Sequence, residues 1–73
     1  MVSSQKLYRI VGETIRGERK RAGLSQEELA EKADLNRNYI GEIERAEKKI
    51  TLETLQRIGK VLKLRITDLL AGL

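Results

Sequence analysis

The middle of the chain, residues 25–45, carries two short amphipathic segments with a break between them at Asp34–Leu35. Each segment places its apolar residues on one helical face, namely Leu29, Ala30 and Ala33 in the first and Ile40 and Ile43 in the second. Because the spacing is three to four residues and does not alternate, it indicates helices rather than strands. The pattern predicts one helix over residues 26–33 and a second over residues 37–45.

Residues that favour helix ends stand where these two segments need them. Ser25 and Glu28 fit a capping box, in which the serine hydroxyl accepts from the Glu28 amide and the carboxylate reaches back to Ser25. Asn36 is a good N-cap for the second helix, and Asp34 tolerates the left-handed conformation of a tight turn. Ala30 is small enough to let two helices approach closely. These features predict a helix-turn-helix, whose second helix is expected to lie in the DNA major groove.

A longer first helix is predicted over residues 4–22, with Ser4 as its N-cap. Its apolar positions recur at helical spacing: Leu7, Val11, Ile15 and Ala22. Gly12 and Gly17 interrupt this helix, each at a cost of roughly 1 kcal/mol relative to Ala, and close packing against a neighbouring helix would explain them. Gly23 is expected to end the helix.

The C-terminal third predicts two more helices after a polar loop at residues 46–50. Thr51 is the expected N-cap of a helix over residues 52–62. Its apolar stripe is Leu52, Leu55, Ile58, Val61 and Leu62. A short last helix is predicted over residues 66–71. The fold class is therefore all-α, a compact five-helix domain spanning residues 1–73, whose last two helices are candidates for dimerisation.

The residue types that the chain lacks exclude most site chemistry. Its 73 residues include no Cys and no His, so thiolate or imidazole metal ligands and Ser–His or Cys–His catalytic pairs cannot form. Acidic residues are interleaved with basic ones, which is typical of solvated helix faces. We expect no enzymatic activity, no cofactor, no metal and no small-molecule ligand.

Charge and hydropathy change this interpretation only slightly. The chain has 15 Lys and Arg against 11 Asp and Glu, a formal net charge of +4, which suits nucleic acid but does not demand it. No apolar run has the length of a membrane span, and the N-terminus lacks the apolar core of a signal peptide. We expect a soluble cytoplasmic protein with no membrane partner.

The helix-turn-helix residues resemble the family of the lambda and 434 repressors and Cro. The positions that match in order are Gln26, Ala30, Ile40 and Ile43, and Asp34 takes the turn position between them. The run of residues 36–45 is most similar to the controller proteins of restriction–modification systems, and the similarity covers residues 8–71. Asp34 and Ala46 depart from the family pattern, because each stands where Gly is usual, and backbone strain is expected at both. The resemblance also implies an ion pair between Arg19 and Glu44 that ties the first helix to the second helix of the motif.

Four residues are predicted to contact bases, since residues near the N-terminus of a recognition helix reach base edges. Arg37 offers a fork to guanine O6 and N7, and Asn38 can pair similarly with adenine N6 and N7. Gly41 would let the backbone approach the DNA closely, whereas Glu42 either accepts from cytosine N4 or is a solvated side chain.

A second set is predicted to contact phosphates: Gln26, Asn36, Tyr39, Arg45, Lys48 and Lys49. Gln26 opens the first helix of the motif, where its side chain and the backbone amides can hold a phosphate, a role that the resemblance supports. Tyr39 either reaches a phosphate with its hydroxyl or packs as a partly buried residue. Arg45, Lys48 and Lys49 flank the far end of the second helix and are interpreted as phosphate clamps.

One such domain reads a short half-site, so a symmetric dimer would read a palindrome with half-sites about 34–36 Å apart. The apolar residues predicted for a dimer interface are Leu62, Leu64, Ile66, Leu69, Leu70 and Leu73. Some of them must belong to the core of a single copy, and the sequence does not divide the two groups. In the controller proteins that the chain resembles, the dimer forms through this C-terminal part.

The predicted function is a homodimeric regulator that binds double-stranded DNA at palindromic operators, interpreted as a restriction–modification controller with RNA polymerase as a further candidate partner. An antitoxin or a phage Cro-like repressor would use the same fold, and the neighbouring genes would separate these. The alternative of another class is a helical protein-interaction module without DNA binding. Replacing Arg37 and Asn38 by Ala would distinguish it from a DNA reader.

Overall fold

The computed structural model of the protein describes residues 3–71 and contains five α-helices and no strand in that range. The helices are α1 (Ser4–Arg21), α2 (Gln26–Ala33), α3 (Arg37–Glu44), α4 (Leu52–Leu62) and α5 (Ile66–Leu69). The all-α prediction is confirmed. The last helix is two residues shorter than predicted.

The ends of α1 are set by local hydrogen bonds. The Ser3 hydroxyl accepts from the Lys6 amide at 3.2 Å, so the N-cap is Ser3 and the assignment of the cap to Ser4 was wrong by one residue. At the other end Gly23 adopts a φ of 75°, and the Leu24 amide donates to the Arg19 carbonyl at 3.1 Å. Gly23 ends the helix as predicted, through a Schellman-type closure.

Three further turns use the left-handed conformation at residues other than glycine. Asp34, Ala46 and Lys63 each have a φ of 58°. The next amide in each turn donates to a carbonyl five residues earlier: Leu35 to Ala30, Glu47 to Glu42 and Leu64 to Gly59, all at 2.8 Å. The left-handed backbone expected at Asp34 and Ala46 is therefore present. Lys63 has no comparable sequence signal, since lysine is not a typical turn residue.

The core is built from one apolar face of each helix. It comprises Val11, Ile15, Leu29, Ala30, Ala33, Ile40, Ile43, Leu55, Ile58 and Leu69. Leu7, Val61 and Leu62 of the predicted stripes are partly buried against this core. Two other stripe residues are exposed: Ala22 at the end of α1, and Leu52, which is 76% exposed as the first residue of α4. Leu52 instead borders an open apolar groove beside Leu7 and Tyr8. Among the helices of residues 3–71, none combines the length and the hydropathy of a membrane span.

Gly12 sets how closely α1 approaches α3. A Cβ at this position would lie 2.5 Å from the Ile43 carbonyl oxygen and 2.9 Å from that of Glu44. Because those neighbours are backbone atoms, the helices would have to separate to admit a side chain. Gly17 has nothing within 4 Å of the same position, so close packing explains only the first of the two glycines.

Candidate nucleic-acid interface

The start of α2 is fixed by the predicted capping box. The Glu28 amide donates to the Ser25 hydroxyl at 3.0 Å, and the Ser25 amide donates to the Glu28 carboxylate at 2.9 Å. The pKa of the Glu28 carboxyl is lowered below its ordinary value. The main cause is the hydrogen bond that the Ser25 amide donates to the carboxylate, and the Ser25 hydroxyl is the second. These two bonds satisfy two of the helix's free N-terminal groups.

The start of α3 is fixed by Asn36, whose side-chain oxygen accepts from the Asn38 amide at 2.7 Å. Ile40 and Ile43 are buried at 0% and 2% exposure and hold the inner face of α3 against the core. Arg37 and Asn38 are consequently exposed at the N-terminal end of the helix. Tyr39 is partly buried against the core, which matches the packing alternative and leaves phosphate contact as a prediction.

The exposed surface of α3 and the start of α2 together form a concavity, which we call the α2–α3 concavity. It is lined by Gln26, Arg37, Asn38, Gly41, Glu42, Arg45 and Glu47. All four residues predicted to contact bases thus line one surface, together with two predicted to contact phosphates. Lys48 and Lys49 lie outside it, exposed beyond the end of α3.

Both arginines of this concavity are paired with carboxylates that no sequence motif singles out. Arg37 Nη1 lies 3.5 Å from Glu27 Oε2, and Arg45 Nε lies 3.1 Å from Glu47 Oε2. The second pair raises the pKa of Arg45 and lowers the pKa of Glu47, chiefly through their hydrogen bond. No sequence rule pairs these positions, because neither spacing corresponds to neighbours on one helix face.

Gly41 is buried and leaves room for two side chains to cross α3. A Cβ on this residue would lie 2.9 Å from Arg45 Nη1 and 3.4 Å from Gln26 Oε1. Direct approach of DNA to the Gly41 backbone would therefore require Arg45 to move, and base contact at Gly41 stays a prediction.

A buried network joins the first three helices behind this surface. Arg19 Nε donates to Glu44 Oε2 at 2.7 Å, and Arg19 Nη2 donates to Glu44 Oε1 at 3.0 Å. Arg19 Nη1 also donates to the Leu24 carbonyl at 2.8 Å, and Gln26 Nε2 donates to Glu44 Oε1 at 3.1 Å. The Glu44 carboxylate raises the pKa of Arg19, chiefly through the hydrogen bond between the two side chains. The bidentate pair fixes the orientation of α3 relative to α1 and positions Gln26 beside it.

The C-terminal residues predicted for a dimer interface differ in accessibility. Ile66 is 39% exposed, whereas Leu62, Leu64 and Leu70 are half-buried against the core. Leu69 is fully buried and offers no surface to a partner, contrary to the prediction. Its Cδ1 lies 3.8 Å from where a Cβ on Gly59 of α4 would be, and the sequence pattern does not separate such a buried position from an exposed one. Leu73 lies outside the described residues.

The arrangement offers hydrogen-bond donors to an anionic or polar partner. The guanidinium groups of Arg37 and Arg45 suit guanine edges or phosphates, and the amides of Gln26 and Asn38 suit phosphates or adenine. Within residues 3–71 no group of three or more His, Cys, Asp or Glu could hold a metal ion.

Comparison with known proteins identifies helix-turn-helix regulators as relatives of this chain. The family model described as Helix-turn-helix matches residues 15–69. The chain is 44% identical over 61 residues to the control protein C.SmaI of Serratia marcescens, covering 84% of this chain and 73% of that protein. It is also 39% identical over 57 residues to the immunity repressor protein of Bacillus phage phi105, covering 78% of this chain but 40% of the repressor.

Among solved structures, the chain is similar to the restriction–modification controller protein C.AhdI from Aeromonas hydrophila. The two superpose with a TM-score of 0.82 at 31% sequence identity, covering 85% of this chain and 94% of that one. The resemblance inferred from the sequence is confirmed by these matches.

Proposed function

This chain belongs to the helix-turn-helix family, and from that premise we propose that it is a homodimeric controller of a restriction–modification system acting at palindromic operators. It is a DNA-binding transcriptional regulator, and its relatives are regulators rather than enzymes. The homodimer, the palindrome and the controlled system are the proposed parts.

The observation that carries the proposal is the α2–α3 concavity. It gathers Arg37 and Asn38, whose side chains suit guanine and adenine edges, beside Gln26 and Arg45, which suit phosphates. Residues suited to base contact and residues suited to phosphate contact are thus adjacent on one surface. The proposal that the protein controls a restriction–modification system is supported by its similarity to the control protein C.SmaI and the controller protein C.AhdI.

The palindrome follows from symmetry. A two-fold dimer presents two copies of α3, and each would occupy a major groove one helical turn, about 34–36 Å, from the other. The exposed Ile66 and its half-buried neighbours supply apolar surface for that pairing.

Selection of duplexes from a random pool at near-physiological salt tests this function. We expect enrichment of an inverted repeat whose half-sites are one turn apart. A variant with Arg37→Ala and Asn38→Ala should keep its helical circular dichroism spectrum but lose about 1–3 kcal/mol of discrimination at each base that these side chains read. Recovery of a single asymmetric site would contradict the dimer, and no enrichment would contradict sequence-specific reading.

A phage-type repressor is the second candidate, favoured by the similarity to the phi105 immunity repressor. The genes beside the operator separate the two functions, because a controller would regulate a restriction enzyme and its methyltransferase. Contact with RNA polymerase and a cytoplasmic location belong to the same proposal. Transcription in vitro from the selected operator, with purified polymerase, tests the former.

A further inference from the structure

A second concavity borders the helix-turn-helix on its α1 side. Its lining consists of Arg16, Arg19, Gln26, Glu44 and Arg45. It adjoins the α2–α3 concavity, since Gln26 and Arg45 line both. The only member on the exposed surface of α1 is Arg16, because Arg19 is buried at 7% exposure. The second concavity therefore continues the proposed DNA surface onto the first helix.

The floor of this concavity is electrically balanced. Glu44 accepts two hydrogen bonds from Arg19 and one from Gln26. Its negative charge is therefore compensated inside the protein and does little to repel an approaching anion. The uncompensated charge at the rim is that of Arg16, because the other rim arginine, Arg45, is paired with Glu47.

Arg16 differs from other arginines near this surface in having no internal counter-ion. Arg45 is bound to Glu47 at 3.1 Å, and Arg21 on the same helix is bound to Glu18 at 2.7 Å. Arg16 makes no side-chain hydrogen bond or ion pair with any of residues 3–71. Its guanidinium group can bind an external anion without first breaking an internal pair.

The start of α2 supplies the complementary donors. Gln26 is the first residue of this helix, and its backbone amide and that of Glu27 have no acceptor within the helix, whereas the Glu28 amide is bound to Ser25. We propose that Arg16 binds a DNA backbone phosphate at the junction of α1 and α2, and so extends the contact surface beyond the helix-turn-helix. This inference rests on the DNA-binding function and adds a residue that positions the protein without reading sequence.

The salt dependence of binding tests the proposal. Arg16→Ala should reduce the magnitude of the slope of log K against log salt by about 0.9 for each phosphate that is no longer neutralised, and by twice that for a symmetric dimer. Affinity should fall several-fold and equally for the selected operator and for unrelated duplex. Arg16→Lys should retain the slope, because the positive charge is kept.

Arg9→Ala is the matched control. Arg9 is exposed on nearly the same face of α1, two turns earlier and about 10 Å away along the helix. The Arg9→Ala substitution removes the same charge from the same helix, at a residue that does not line the second concavity. The slope should therefore stay at the wild-type value. Equal changes in the two variants would reduce the effect to net charge and overturn the proposal.

Replacing single operator phosphates by methylphosphonates locates the contact. One position in each half-site should weaken wild-type binding and have no effect on Arg16→Ala, since the two changes remove the same interaction. If every sensitive phosphate is equally sensitive in the variant, Arg16 does not bind one. A wild-type protein that binds no duplex would reject the DNA-binding function itself, whereas tight wild-type binding with an unchanged Arg16→Ala slope would reject this inference alone.

Discussion

Arg37 and Arg45 face the proposed DNA surface while each is bound to a carboxylate of the same chain. Both pairs are exposed, with more than half of each side chain accessible. Exposed pairs of this kind contribute little to stability because solvent screens them, so a phosphate or a guanine edge can replace Glu27 and Glu47. The pairs hold the guanidinium groups near the groove without preventing their use.

Glu44 behaves differently because it is buried. We expect Glu44→Ala to lower the free energy of unfolding by about 3–5 kcal/mol, since Arg19 would keep a buried charge without its partner. The double variant Arg19→Met with Glu44→Leu should recover most of that stability, because a well-packed apolar pair of similar volume avoids desolvation. Urea unfolding followed by circular dichroism measures both. A decrease below about 1 kcal/mol for Glu44→Ala would show that the pair is only a surface contact.

At the scale of the helix, the two glycines of α1 should respond in opposite directions to alanine. Gly17→Ala should raise the free energy of unfolding by about 0.5–1 kcal/mol, because alanine is the better helix former and meets nothing within 4 Å. Gly12→Ala should lower it by about 1–3 kcal/mol, because its Cβ would collide with backbone carbonyls of α3. Thermal and urea unfolding of the two variants and the wild type measure these changes. Stabilisation by both substitutions would mean that α1 and α3 can separate freely.

The capping box of α2 makes part of the stability depend on pH. The pKa of Glu28 is lowered in the folded chain, so its contribution is complete above the unfolded-state pKa and is lost as the pH falls through the folded value. Glu28→Gln should preserve the capping bond, since glutamine also serves at this position, and should flatten the decline of stability below about pH 5. The urea midpoints of the wild type and of Glu28→Gln, measured from pH 7 to pH 3, test this expectation. If the midpoints of both proteins fall equally with pH, the Glu28 carboxylate does not cause the loss of stability in acid.

How much of this fold the sequence predicts depends on whether the cause is local. The caps at Ser25, Asn36 and Thr51 follow from side chains bonding amides two or three residues away, so the pattern was sufficient. The exposure of Leu52 and the left-handed turn at Lys63 depend on how α4 meets its neighbours. A helical stripe shows which face is apolar, but not where along that face the packing ends.

The same limit applies to the site. The pattern predicted which helix presents Arg37 and Asn38, because their placement follows from the N-cap and the buried isoleucines. It did not predict that Glu27 would reach Arg37, since those residues lie on different helices. Nor did it single out Arg16, whose position beside Gln26 exists only once α1 packs across the motif.

For the whole molecule, the decisive property is whether two copies associate. One copy presents a single recognition helix of eight residues, and a chain of this size buries a limited core. Pairing through the C-terminal surface would cover Ile66, which is 39% exposed at the start of α5. A charge placed there would have to be buried without a partner, at a cost that a small interface cannot offset.

Ile66→Glu should therefore shift the protein from dimer to monomer in sedimentation equilibrium, while the helical spectrum is retained. Lys32→Ala is the control, because it changes the net charge by the same amount at an exposed position on α2 and should leave the dimer intact. The monomeric variant should also bind an inverted repeat no better than a single half-site, since the second recognition helix is no longer coupled to the first. If Ile66→Glu sediments as the wild type does, the two copies meet through another surface, and the open groove beside Leu52 becomes the face to mutate next.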